Sequence, residues 1–358
     1  MSGLGDAHTH FTWNGGDLAR LGDLGVEEHV LLTMRSAQCF LDSGYTMCFG
    51  AASAKDRLDV VIRDAINAGD IPGPRSLANG KEMARTDGDL VPGITVYADG
   101  PEEMRQVIRR HVDLGVDNVK LSMSGEEITE TRSAQDCYFT DEETAACVDE
   151  AHRHGKRLCA HARARDSVTM CLRHGVDVIY HASYISDEGM DMLEQRKTKH
   201  AVAPAINWLV ATLHDAEAFG YSHEKAEKWT PHGTYARDLE HFVKLLGFTP
   251  HEAVVAATAG VAALLMRAHE LGSIRPGYYA DCILVDGNPL DDIAVLQQHD
   301  RINIIVVNGR VHKAARREYV RDFGSLPVAG HDGSKHPVVP NANVDDYPQV
   351  EKPMQTQY

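Results

Sequence analysis

At 358 residues the chain can bury a large core, and one large domain with an appendage suits that length better than several small domains. Asp and Glu number 52 against 36 Lys and Arg, a net charge of −16, which argues against nucleic acid or an anionic membrane as partner. The 7 cysteines form no CxxC pair, no apolar run reaches transmembrane length, and the opening MSGLGDAHTHF lacks a signal-peptide layout. Together these predict a reducing, cytoplasmic setting rather than a disulfide scaffold.

Short apolar segments alternate with helical patterns along the chain. Strands are predicted over Gly3–Phe11, Tyr45–Gly50, Arg75–Asn79, Asn118–Met123, Arg157–Ala162, Val178–Tyr184 and His200–Ile206. Helices are predicted between them over Pro101–Leu114, over Asp141–His154 behind a capping box at Thr140, and over Asp166–His174 before Gly175. Repeated strand–helix units imply a parallel sheet with helical crossovers. Polar residues gather at the ends of many different strands, which favours a closed barrel over an open sheet.

Beyond Asn207 the pattern changes. Ala211–Lys228 reads as helix or irregular chain and Thr234–Leu246 as helix. A second capping box, Thr249-Pro-His-Glu252, opens a helix over Pro250–Met266. No strand pattern appears between Ile206 and Asp281. Residues 280–286 and 302–307, the latter followed by Asn308-Gly309, read as two strands of a small separate sheet. The predicted division is a barrel over 1–270, sheet strands over 271–315, and a polar, Pro-rich tail over 316–358.

Four strand ends carry candidate chemistry. In Asp6-Ala-His8-Thr-His10, residues two apart on a strand point the same way, so His8 and His10 could share a metal ion. Two surface or core histidines would give the same pattern. Lys120 sits mid-strand in Asn118-Val-Lys120-Leu-Ser122. A buried lysine is costly unless it is paired or changes protonation, and one outlet is reaction with carbon dioxide to a carbamate. The bland alternative is a strand-end lysine reaching solvent. His161 and His181 each fall near a C-terminal strand end, the face on which barrel enzymes build their sites.

HxH on the first strand, lysine on the fourth and histidines on the fifth and sixth resemble the amidohydrolase superfamily, in its imidazolonepropionase-like and prolidase-like branch with the ochratoxin-hydrolysing carboxypeptidases. NVKLSMSGEE, RLCAHARA, VIYHASYISDEGM, WTPHGTYARDLEHF and TPHEAVVAATAGVAALL carry the resemblance, and ADCILVDGNPLDDI with IIVVNGRV is similar to the branch's C-terminal sandwich strands. It implies an α/β fold, a (β/α)8 TIM barrel with a small β-sandwich. It further implies two divalent metal ions, zinc foremost, held by His8, His10, carboxylated Lys120, His161 and His181. A metal-bridging hydroxide would then hydrolyse an amide C–N bond in an N-acyl amino acid or dipeptide. Lys120 and His181 count as catalytic on this resemblance, with Tyr184, Arg163 and His232 on the substrate. A homo-oligomer is a further expectation.

The chain departs from the pattern in one place. The family's strand-eight aspartate, which moves the proton, belongs in a turn shortly before Trp229, yet Ser222-His-Glu-Lys-Ala-Glu-Lys228 runs straight into it. About one βα unit, on the order of 30 residues, is missing from the pattern. Asp238 falls in a helix pattern, Asp215 has no strand before it, and Glu224 and Glu227 lie near the join. The sandwich is also expected to be residual, since the N-terminal segment that supplies much of it in the family is not in this chain. The alternative function is therefore a catalytically impaired metal-binding variant serving as an interaction or scaffold protein.

Overall fold

The computed structural model describes residues 1–13, 18–88, 90–125, 132–214 and 232–314. The expected tail, and Asp215, Glu224, Glu227 and Trp229, lie outside the described residues. Nine strands form the parallel part: β1 Leu4–Thr9, β2 Tyr45–Gly50, β3 Arg75–Leu77, β4 Glu82–Ala84, β5 Thr95–Tyr97, β6 Asn118–Ser122, β7 Arg157–Ala162, β8 Val178–His181 and β9 Ala201–Ala203. They make two sheets, ordered β1-β2-β3 and β5-β4-β6-β7-β8-β9, with every neighbouring pair parallel.

Helices supply the crossovers: α1 Val26–Asp42, α2 Leu58–Ala68, α3 Gly100–Leu114, α4 Asp141–Arg153, α5 Arg165–His174, α6 Asp187–Gln195, α7 Ile206–His214, α8 Arg237–Lys244, α9 Pro250–Val255 and α10 Val261–Leu264. At the start of α4 the Glu143 N–H donates to Thr140 Oγ1 and the Thr140 N–H to Glu143 Oε2, the reciprocal box expected from the sequence. Thr249 and Glu252 repeat it at α9. The single helix predicted to Met266 is instead interrupted by a π-helical turn over Ala256–Gly260.

Strand alternation sorts the core into two layers. Val119, Leu121, Leu158, Ala160 and Ile179 face outward and pack on Met104, Ile108, Val148, Ala151, Val168 and Leu172 of the helices. Met47, Phe49, Cys159, Val178 and Tyr180 face inward and meet Val261, Ala262 and Leu264 of α10 and Leu265 just after it. Gly5 shows how close that helix lies to β1: a Cβ there would stand 2.6 Å from Val261 Cβ.

β9 ends one sheet and β1 the other, and no strand among the described residues joins them. Among the described residues the fold is thus an incomplete (β/α)8-type barrel, open where the sequence shows its strand-free stretch. Three further strands, β10 Cys282–Val285, β11 Ile302–Val307 and β12 Arg310–Ala314, form a small antiparallel sheet. Asn308 and Gly309 turn the last hairpin at φ 54° and 71°, both left-handed as a tight hairpin requires. β12 is absent from the predicted strands, although the Asn-Gly turn announces it. Ser2 bridges to Cys282, so the residues before β1 extend this sheet, and Ile283, Ile302 and Ile305 share a core with Leu4, Leu41 and Tyr45.

Candidate active site

The cross-strand register explains how the site is assembled. Lys120 pairs with Cys159, Cys159 with Val178, Ser122 with His161, and His161 with Tyr180. Lys120, Ser122, Cys159, His161, Val178 and Tyr180 therefore share the inner face. His181 follows Tyr180 and by alternation belongs outside. It and Ala182 instead have φ of 70° and 52°, a left-handed conformation that is rare without glycine and typical of functional sites. The bend turns His181 back to the inner histidines, with ring centres 4.7 Å from His161 and 5.2 Å from His8.

β1 ends at Thr9 rather than Phe11, so His10 lies one residue past the strand. Its ring centre is still 5.0 Å from that of His8. The His8 imidazole stacks on Tyr180 at 3.8 Å, and Lys120 Nζ lies 4.5 Å from the centre of the same ring. The structure thus brings His8, His10, Lys120, His161 and His181 into one cluster.

Lys120 is 1% exposed, which rules out the solvent-reaching alternative. Its Nζ lies 3.4 Å from Glu82 Oε2, a buried carboxylate on β4. Burial, then the Lys120 charge and the other three histidines, hold His8 well below the ordinary histidine range, so it is neutral near pH 7. Asp6, which accepts the His8 N–H at 2.7 Å, is pushed up to about 6 by burial.

Two histidines are anchored through one nitrogen. His181 Nδ1 is 3.2 Å from Pro204 O and His161 Nε2 is 3.1 Å from Gly125 O. A carbonyl partner fixes the N–H on that nitrogen and the lone pair on the other, the arrangement usual for metal-ligating histidines. Two imidazoles on one zinc, at about 2.0–2.1 Å and tetrahedral angles, have ring centres roughly 5 Å apart. The His8–His10 and His161–His181 pairs match that spacing, and imidazole nitrogens suit a divalent ion. Yet among the described residues no group of three or more His, Cys, Asp or Glu side chains is placed to hold a metal ion.

The substrate candidates separate. Tyr184 is 44% exposed at the rim, while Arg163 is 3% exposed, with Nη1 3.3 Å from Ser183 Oγ. His232, expected on the substrate, has Nε2 2.7 Å from Trp13 O and Nδ1 2.8 Å from Tyr235 Oη. Asp238, the nearest described carboxylate after the missing unit, accepts the Asn207 N–H at 2.6 Å and caps the start of α7. Its carboxyl is pushed up to about 7 by burial, with the Asp6 charge adding. Tyr180, Glu82 and Trp13 join the site without being among the sequence candidates. Strand parity points to Tyr180; nothing short-range announces Glu82, because β4 is too short to show a strand pattern.

The sequence model of the amidohydrolase family matches residues 1–225 and 230–312. Ochratoxinase of Aspergillus niger is 26% identical over 368 residues, covering 87% of this chain and 75% of the relative. Its crystal structure superposes with a TM-score of 0.76 at 23% identity, over 88% of this chain and 83% of that one. The crystal structure of a Xaa-Pro dipeptidase with bound methionine in the active site gives a TM-score of 0.75 at 26% identity, over 87% and 86% of the two chains.

Proposed function

Because the chain belongs to the amidohydrolase family, we propose that it is a catalytically impaired member, retaining the histidine–lysine cluster for divalent metal and lacking the group that moves the proton. One observation carries this: Asp238 is spent on capping α7, and no strand among the described residues stands between β9 and β1 to present another carboxylate. Losing a general acid/base costs about 10²–10⁴-fold in rate.

His8 and His10 would hold one ion, and His161 and His181 the second. Lys120, once carboxylated, would add an anionic oxygen ligand. Divalent ions, when bound, would polarise a scissile carbonyl and lower the pKa of water. Carboxylation turns Lys120 from a cation into an anion beside Glu82, so Glu82 must then take up a proton or turn away. Arg163 or Tyr184 would receive a substrate carboxylate. The Xaa-Pro dipeptidase among the similar structures supports a dipeptide-like amide as substrate class.

The test is zinc content by elemental analysis together with hydrolysis of N-acyl amino acids and Xaa-Pro dipeptides, run beside an intact relative. Bound zinc with turnover at least about 100-fold below the relative is expected. Turnover matching the relative would instead establish a competent amide hydrolase, the second reading, which the convergence of all five cluster residues favours. No divalent metal of any kind would remove both.

A further inference from the structure

The segment that follows β1 is held more firmly than its position in a connecting loop requires. The Trp13 indole stacks on the His10 imidazole at 3.7 Å, with the planes 17° apart. The Trp13 backbone N–H donates to His10 O at 3.2 Å, closing a turn that carries the indole over the ring. Trp13 O in turn meets Nε2 of His232, a residue 219 positions away in sequence, at 2.7 Å. Next to it, Thr12 O meets His29 Nε2 at 2.6 Å and Thr12 Oγ1 accepts the Ala54 N–H at 2.8 Å.

The His232 ring has a defined proton arrangement. Burial holds it below the ordinary histidine range, so it is neutral and carries one N–H. With a carbonyl at Nε2, that N–H points at Trp13, and Nδ1 accepts the Tyr235 O–H. Tyr235 stacks on Phe40 at 3.7 Å, which ties the chain of contacts to α1. His10 is thus steadied by an aromatic face, and the backbone carrying that face is steadied by a hydrogen bond from a residue distant in sequence.

We propose that Trp13 and His232 are positioning residues for the His10 imidazole, the indole setting its plane and His232 locking the backbone that carries the indole. Partners of this kind around metal-binding histidines are typically worth about 10–100-fold in metal affinity. The consequence for metal rests on the function proposed above; the positioning itself does not.

The test has a metal-free arm and a metal arm, both on the full chain. In apoprotein with labelled histidine, the His10 ring protons, assigned through His10→Gln, are expected upfield under the indole. Trp13→Leu should return them to ordinary positions. His232→Ala should shift them partway, and His232→Gln, whose amide can still donate to Trp13 O, should restore them. Cobalt affinity should fall about 10–100-fold in His232→Ala and recover in His232→Gln. Tyr235→Phe, which removes only the proton donated to Nδ1, gives the same readout if His232→Ala does not fold. An unmoved His10 signal in the His232 and Tyr235 variants, with only the melting temperature lowered, would overturn the inference. If the unsubstituted protein binds no cobalt, the metal reading fails while the apoprotein arm still decides this one.

Discussion

Glu82 and Lys120 form an ion pair with almost no access to water, Oε2 to Nζ 3.4 Å, with side chains 5% and 2% exposed. Breaking such a pair strands a charge in a medium that solvates it poorly, which costs about 3–5 kcal/mol, whereas replacing both partners by apolar groups is often neutral. Urea denaturation of metal-free protein should therefore show Glu82→Gln destabilised by about that amount, and Glu82→Gln with Lys120→Met restored most of the way. Equal loss in the single and double variants would mean that the pair contributes through shape alone.

A second prediction concerns metal. If the two histidine pairs each serve one ion, zinc at about 100 times its Kd should raise stability by about 2.7 kcal/mol for each ion bound, and EDTA should cancel the gain. His8→Ala and His161→Ala should each lower the zinc content by one ion per chain. A His161→Ala protein that keeps the full content would place both ions elsewhere.

Two buried carboxyls make stability depend on pH. Asp6 and Asp238 release their protons near 3.8 when unfolded and near 6 and 7 when folded. Between those values the folded state holds more protons, so their contribution is complete below about pH 4 and is lost as pH rises through 6 and 7. His8, His111 and His299 are pushed down by burial and act in the opposite sense, so only a difference isolates the carboxyls. Each pH unit over which the folded carboxyl keeps a proton that the unfolded one has lost is worth about 1.4 kcal/mol. Relative to the unsubstituted protein, Asp238→Asn should therefore gain roughly 3 kcal/mol between about pH 4.5 and 8. Parallel stability curves for the two proteins would remove Asp238 as the source.

The contact between β1 and α10 can be tested by a single methyl group. A Cβ at Gly5 would come within 2.6 Å of both Val261 Cβ and Cγ1. Gly5→Ala should cost about 1–3 kcal/mol through overpacking, and Val261→Ala in the same chain should return part of it. Additive losses in the double variant would show that the two residues do not meet.

Much of the barrel is legible in the sequence because strand alternation and capping boxes are local signals. Tyr45–Gly50 and Arg157–Ala162 are strands with the predicted bounds, and Thr140 and Thr249 open helices as their spacing requires. The five cluster residues are legible for the same reason, each sitting at or near a strand end. What escapes depends on distance or on backbone conformation. Glu82 reaches Lys120 only because β4 lies beside β6, joined by the single pairing Met83–Leu121. His232 reads as a substrate contact because its neighbours resemble a family motif, and its hydrogen bond to Trp13 spans nearly two thirds of the chain. The break in the Pro250–Met266 helix has no sequence signal that we can identify.

The left-handed backbone at His181 sets conformation against chemistry at that position. Conformation and chemistry favour different residues there: glycine, asparagine and aspartate fit the bend most easily, while only histidine adds an imidazole. A lineage that had given up the site would be free to drift towards the relaxed residues, gaining stability at each step. A lineage that holds histidine against that gradient would do so for what the ring supplies.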